Sequence, residues 1–215
     1  MRSVNNRKRS DGLETMDRLL EFAEEELRTV GPVKFNLVEV LARAGLSRSS
    51  AYHHFGDREG LIAAVELKNH IESMRKVNEL LRSVVETSSD PEILMKSIEF
   101  HLGLEGSEKG FAGRRRRIFT LAAGQASAAL AERISEEQRS VSDYLAGTIE
   151  IARAKGMIRP RVSDMAITQM MLAAMFGRAL VDLTGRPEDD TAWLEGTLES
   201  LRHLLNIQEQ EGRNP

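Results

Sequence analysis

The stretch Asn36 to Leu61, NLVEVLARAGLSRSSAYHHFGDREGL, leaves little choice of local structure. Leu37, Val40, Leu41 and Ala44 recur at helical spacing and form one apolar face. Asn36 stands before that run with Glu39 three residues on, a capping-box arrangement that satisfies orphan backbone N–H groups. Gly45 follows the last periodic residue, where a helix C-cap belongs. Ser47 then caps a second short helix, Arg48 to His54, which turns little but Ala51 inward and presents Arg48, Ser49, Ser50, Tyr52, His53 and His54. Phe55 anchors its end in the core, Gly56 breaks the chain and Asp57 caps the next helix.

Two helices across a glycine turn, the second with polar groups outward, meet the needs of a helix-turn-helix. The first braces the domain and the second enters a DNA major groove. Arg48, Ser49, Ser50 and His53 are the candidates for base edges. Asn36, Tyr52, His54 and Arg58 are the candidates for phosphates, and Ser47 at the turn completes the set. Arg58 places a cation beside a helix N-terminus, a natural phosphate seat. The bland alternative is a helical hairpin with a solvated face.

These residues resemble the DNA-binding domain of the TetR (tetracycline-repressor-like) family of transcriptional regulators. The resemblance runs through LLEFA at Leu19–Ala23, Gly31, NLVEVLARAGLSRSS at Asn36–Ser50, AYHHF at Ala51–Phe55 and GDREGL at Gly56–Leu61, within about the first 65 residues. The family usually has Thr at Asn36, Ala at Leu41, Gly and Thr at Ser49 and Ser50, and Lys at Arg58. The hydroxyl that Ser49 adds to the groove face means that base preference does not transfer from relatives. The resemblance implies a homodimeric, ligand-responsive regulator, in the commonest form a repressor, that reads a pseudo-palindromic operator in double-stranded DNA. It also implies a small-molecule effector site in the second domain.

The chain has 215 residues, 41% hydrophobic and 29% charged, with net charge −3 and no Cys. A DNA reader with this balance must concentrate its positive charge locally. The absence of Cys excludes disulfides and thiolate zinc sites and fits a reducing cytoplasm. No run of 18 or more apolar residues marks a membrane span. Five Pro and no alternating strand pattern give an all-α reading. The expected order is a basic disordered arm over 1–10, a helix-turn-helix domain over 11–56, a linking helix over 57–85, a helical ligand-binding and dimerisation domain over 86–209, and a tail over 210–215. The arm either tracks DNA or is a solvated tail.

In the second domain Gly103–Gly113 reads as a loop, and Arg114, Arg115, Arg116 and Arg117 open the next helix. Such a run fits salt bridges with the many Glu residues better than an anionic partner. A helix over about 163–184 is apolar nearly all round, and one over about 191–208 carries Trp193, Leu194, Leu198, Leu201 and Leu205. Two copies of this pair would form a four-helix dimer interface. Candidates to line an effector site are Met95, Phe100, His101, Phe119, Tyr144, Met171, Met175 and Phe176, against the alternative that they are plain core. The effector would then be small and largely apolar. Adjacent His53 and His54 diverge by about 100° on a helix and cannot share a metal. The sequence calls for no catalytic residue, metal or cofactor. The rivals are an all-α protein-interaction module and a helical enzyme using His101.

Overall fold

The computed structural model describes residues 3–124, 128–186 and 188–207. Every element among the described residues is helical: α1 (Ser3–Lys34), α2 (Leu37–Ala44), α3 (Arg48–Phe55), α4 (Arg58–Thr87), α5 (Pro91–Gly106), α6 (Glu108–Gly124), α7 (Ala128–Ala154), α8 (Asp164–Val181) and α9 (Glu188–Leu205). A single 3-10 turn, Asp182–Thr184, prolongs α8. The all-α expectation therefore holds. Helix α1 begins at Ser3, so helical backbone replaces the disordered arm expected over residues 3–10. No Pro interrupts that stretch, and once a helix is nucleated downstream each further residue adds a bond at little cost. The tail at 210–215 lies outside the described residues.

The chain forms two compact units. One runs to His70 and takes in Arg116–Glu136; the other comprises Ile71–Arg115 and the chain from Glu137 onward. The domain boundary expected at 56/57 thus moves into α4. The reason is that Leu61, Ile62, Ala63, Ala64 and Val65, early in α4, are buried, so this segment is part of the first core. That core also holds Leu19, Leu20 and Ala23 from α1, Val40 and Leu41 from α2, and Ala51 and Phe55 from α3. In the second unit Leu94, Met95, Ile98 and Leu102 of α5 share a cluster with Leu145, Ile149, Ile167, Leu201 and Leu205.

The glycine-rich stretch expected to be a loop is two helices with one break at Ser107. Two of its glycines mark close approach. A Cβ on Gly106 would lie 2.8 Å from the Trp193 ring, and one on Gly110 would lie 2.3 Å from the Glu105 carbonyl oxygen. The arginine run consequently falls in the interior of α6 and not at its start. Its members have separate destinations. Arg114 is buried and donates through Nε and Nη2 to the two Asp182 carboxylate oxygens at 2.7 and 2.6 Å. Arg115 is exposed and lies over the Phe111 ring. Arg116 pairs with Glu66 at 2.9 Å. Arg117 is buried, and together with a larger effect of burial it lowers the pKa of His70 to about 4.

Asp182 also accepts from Arg178 Nη1 at 2.8 Å, while Arg178 reaches the Gly106 carbonyl at 2.9 Å and pairs with Asp190. One carboxylate therefore serves two buried guanidinium groups and ties α6 to the end of α8. Hydrogen bonding from Arg114, opposed by burial and aided by the charges of Arg114 and Arg178, lowers the Asp182 pKa. A carboxyl with a depressed folded-state pKa stabilises above its unfolded value, about 3.9, and loses that contribution as pH falls further. Asp182→Asn is expected to cost about 3–5 kcal/mol at neutral pH, because it strands buried charge. Denaturant melts should show this gap, and it should narrow below about pH 4.

Candidate nucleic-acid interface

The turn between α2 and α3 is built as the sequence dictates. Asn36 Oδ1 accepts from the Val38 and Glu39 N–H groups at 3.1 and 3.4 Å. Gly45 adopts φ 69°, ψ 29°, a left-handed C-cap that suits Gly. Ser47 Oγ accepts from the Ser50 N–H at 3.2 Å and lies 3.0 Å from Ser49 Oγ. Helix α3 buries only Ala51 and Phe55. With residues about 100° apart on a helix, Ser49 and His53 stand opposite that buried edge. Tyr52 and Arg48 flank them on one side, Ser50 and His54 on the other. Tyr52 is 44% exposed, and Arg48, Ser49, His53 and His54 are exposed as well. Their sequence placement on an outward face therefore matches the structure. The His53 and His54 rings meet edge-on, with centroids 5.1 Å apart.

Two residues behave differently from the sequence reading. Arg58 was expected at a phosphate, but its guanidinium faces protein. Nε donates to the Phe35 carbonyl at 3.3 Å, Nη2 to the Pro32 carbonyl, and Nη1 pairs with Glu59. The group also lies over the Phe35 ring, 5.6 Å from its centroid. Asp57 Oδ1 accepts from the Gly60 N–H at 2.8 Å, so the start of α4 already carries an anion. The second residue is Gly60, to which the helical pattern alone gives no role. A Cβ there would lie 1.7 Å from the Phe55 carbonyl oxygen, so the end of α3 rests on the first turn of α4. The signal was present in the sequence as a glycine inside a helical pattern, where propensity disfavours it.

The residues expected to line an effector site have different surroundings, each described within its own unit. Phe100 is 63% exposed, and Phe119, also exposed, belongs to the first unit. His101 is half-buried, its Nδ1 donating to the Ser97 carbonyl at 2.7 Å within α5. Tyr144 carries Arg82 over its ring, 5.1 Å from the centroid. Phe176 is half-buried on α8. Met171 and Met175 pack on the second unit's core. Met95 does line a cleft of about 350 Å³ between α5 and α9, shared with Leu198, Glu99, Glu195, Glu199 and Arg202.

A capped pair of short helices in an all-α chain, the second with its polar face free, defines a helix-turn-helix DNA-binding protein. Residues 19–65 match the family of bacterial regulatory proteins called the tetR family. The HTH-type transcriptional regulator UidR of Escherichia coli is 22% identical over 170 residues, which is 79% of this chain and 78% of UidR. Two solved structures share the fold. Reduced E. coli NemR has a TM-score of 0.58 and 18% identity over 91% of this chain and all of that one. The R. erythropolis transcriptional repressor QsdR, of the TetR family, has a TM-score of 0.57 and 17% identity over 93% and 98% of the two chains. Residues 19–65 thus carry a DNA-binding domain like that of the tetR family, and the likeness supports a DNA-binding transcriptional regulator.

Gly60→Ala is expected to destabilise the first unit by about 2–3 kcal/mol through overpacking against backbone. It should also weaken DNA binding beyond what the unfolded fraction accounts for. Thermal melts and duplex titration of the same samples check both.

Proposed function

We propose that this chain is a homodimeric repressor that reads a pseudo-palindromic operator with α3 and is released by a small molecule. The observation that carries the reading is α3 itself, an eight-residue helix with two buried side chains and a free polar face. In this reading Arg48, Ser49, Ser50 and His53 meet base edges. Tyr52, His54, Ser47 and the Asn36 amide, whose oxygen is engaged in capping, meet the backbone. QsdR, which has the same fold, is itself described as a repressor.

The dimer is assigned to α8 and α9. The segment Asp164–Thr184 has a mean hydropathy of 1.3 and is long and apolar enough by composition to cross a membrane, and only 22% of it is buried within one chain. Ile167, Arg178 and Ala179 turn inward, while Met170, Ala173 and Leu180 face out at spacings of three and seven. A second copy covers such a stripe, and the buried Arg178 with its partner Asp182 fits a water-soluble helix better than a membrane span. The effector is read as largely apolar, acting on the second unit, and it must bind the DNA-competent and released states unequally. The proposal places the protein in the cytoplasm with its DNA and assigns it no catalytic step.

Selection of duplexes from random DNA tests the reading, with an inverted repeat as the expected winner. Against that winner, Arg48→Ala should change base preference, and Tyr52→Ala should weaken all duplexes similarly. A Tyr52→Ala protein that binds like wild type removes that residue from the site. Leu180→Glu should convert a dimer to a monomer in light scattering with helix content retained; an unchanged dimer would move the interface elsewhere.

A further inference from the structure

We propose that Arg58 is a positioning residue for DNA reading and not a phosphate contact. The inference rests on α3 being the reading helix, and it concerns what sets the pose of that helix.

Helix α3 buries too little to orient itself, so its neighbours must do so. At its C-terminal end the Phe55 carbonyl sits against Gly60, and the Gly56 N–H donates to the Tyr52 carbonyl at 2.9 Å. At its N-terminal end it follows directly from α2, whose start is set by Asn36. The short helical segment leading into Asn36 does not continue the line of α1, because Gly31 kinks the helix at φ 74°, ψ 169°, so α1 alone leaves its direction open. Arg58 closes this gap. From the first turn of α4 it donates to the Pro32 and Phe35 carbonyls, which flank the connector, and its plane covers the buried Phe35 ring. One planar fork thus fixes the entry of α2 relative to α4, and α3 is held between those two helices. A lysine cannot reproduce this, since it offers a point charge and no planar fork.

The local charge argues the same way. A phosphate approaching the start of α4 would meet Asp57, whose carboxylate already caps that helix, and Glu59, which pairs with Arg58. To reach the phosphate, Arg58 would have to leave two carbonyls and one carboxylate.

The test uses the full chain, the duplex that wild type selects and an unrelated duplex. Affinity for each is followed against salt for wild type, Arg58→Met and Arg58→Lys, with melts showing which variants are folded at the assay temperature. The proposal expects the ratio of specific to unrelated affinity to fall about tenfold or more, roughly the loss of one base contact. It expects the slope of log affinity against log salt to stay at the wild-type value, and Arg58→Lys to share the loss. A slope smaller by about 0.9, equal losses on both duplexes and rescue by Lys would establish a phosphate contact and overturn the proposal. A lower melting temperature with an unchanged ratio would reduce Arg58 to a purely structural residue and also overturn it. Should Arg58→Met be unfolded, Arg58→Lys decides alone by the same ratio and slope. If wild type selects no duplex, the DNA reading itself has failed, an outcome separate from every variant result.

Discussion

A helix that buries two side chains cannot fix its own direction, and this constraint governs the first unit. Each polar group that α3 leaves free for a partner is a group that does not hold α3 in place. The holding falls to backbone: a left-handed glycine before it, a serine cap at its start, and at its end a carbonyl pressed against Gly60. These restraints bond or crowd main-chain atoms, and Ser47 is the one side chain among them that also lies in the candidate interface. The outward side chains can therefore vary without loosening the frame, and the frame can fail without any change in the outward set.

The second unit solves a different problem by the same means of concentrating several tasks at one point. Asp182 satisfies two buried arginines that come from different helices. Because Arg178 also bonds a carbonyl at the end of α5 and pairs with Asp190 at the start of α9, three helix ends and the interior of α6 meet around one carboxylate.

The sequence shows the helix-turn-helix almost completely because its signals are local. Caps, C-cap glycine and apolar spacing act within four residues, so Asn36, Gly45, Ser47 and Phe55 could each be placed without knowing the fold. Arg58 and the arginine run were less legible for the opposite reason. Arg58 meets carbonyls 23 and 26 residues away, and Arg114 meets a carboxylate 68 residues away. No window of about 11–18 residues, the length over which periodicity is read, contains both partners. The glycines of Gly103–Gly113 misled because flexibility and close packing demand the same residue; only the positions of Trp193 and the Glu105 carbonyl tell the two apart. The effector-lining set rested on side-chain type, which does not distinguish a pocket wall from a core or from an exposed face, and Phe100 shows the last of these.

The contact between Gly60 and the Phe55 carbonyl has a consequence on the other side of the interface. With its end stopped against backbone, α3 has little room to tilt, and under the proposed reading it could not follow an imperfect half-site. In a dimer of such helices, any mismatch in half-site separation is taken up by bending or twisting the duplex between them. The energy of that deformation depends on base steps the protein never touches: pyrimidine–purine steps yield, and A-tracts resist. In the dimer proposed above, an unyielding glycine contact inside the protein would turn the stiffness of the spacer DNA into part of the recognised sequence.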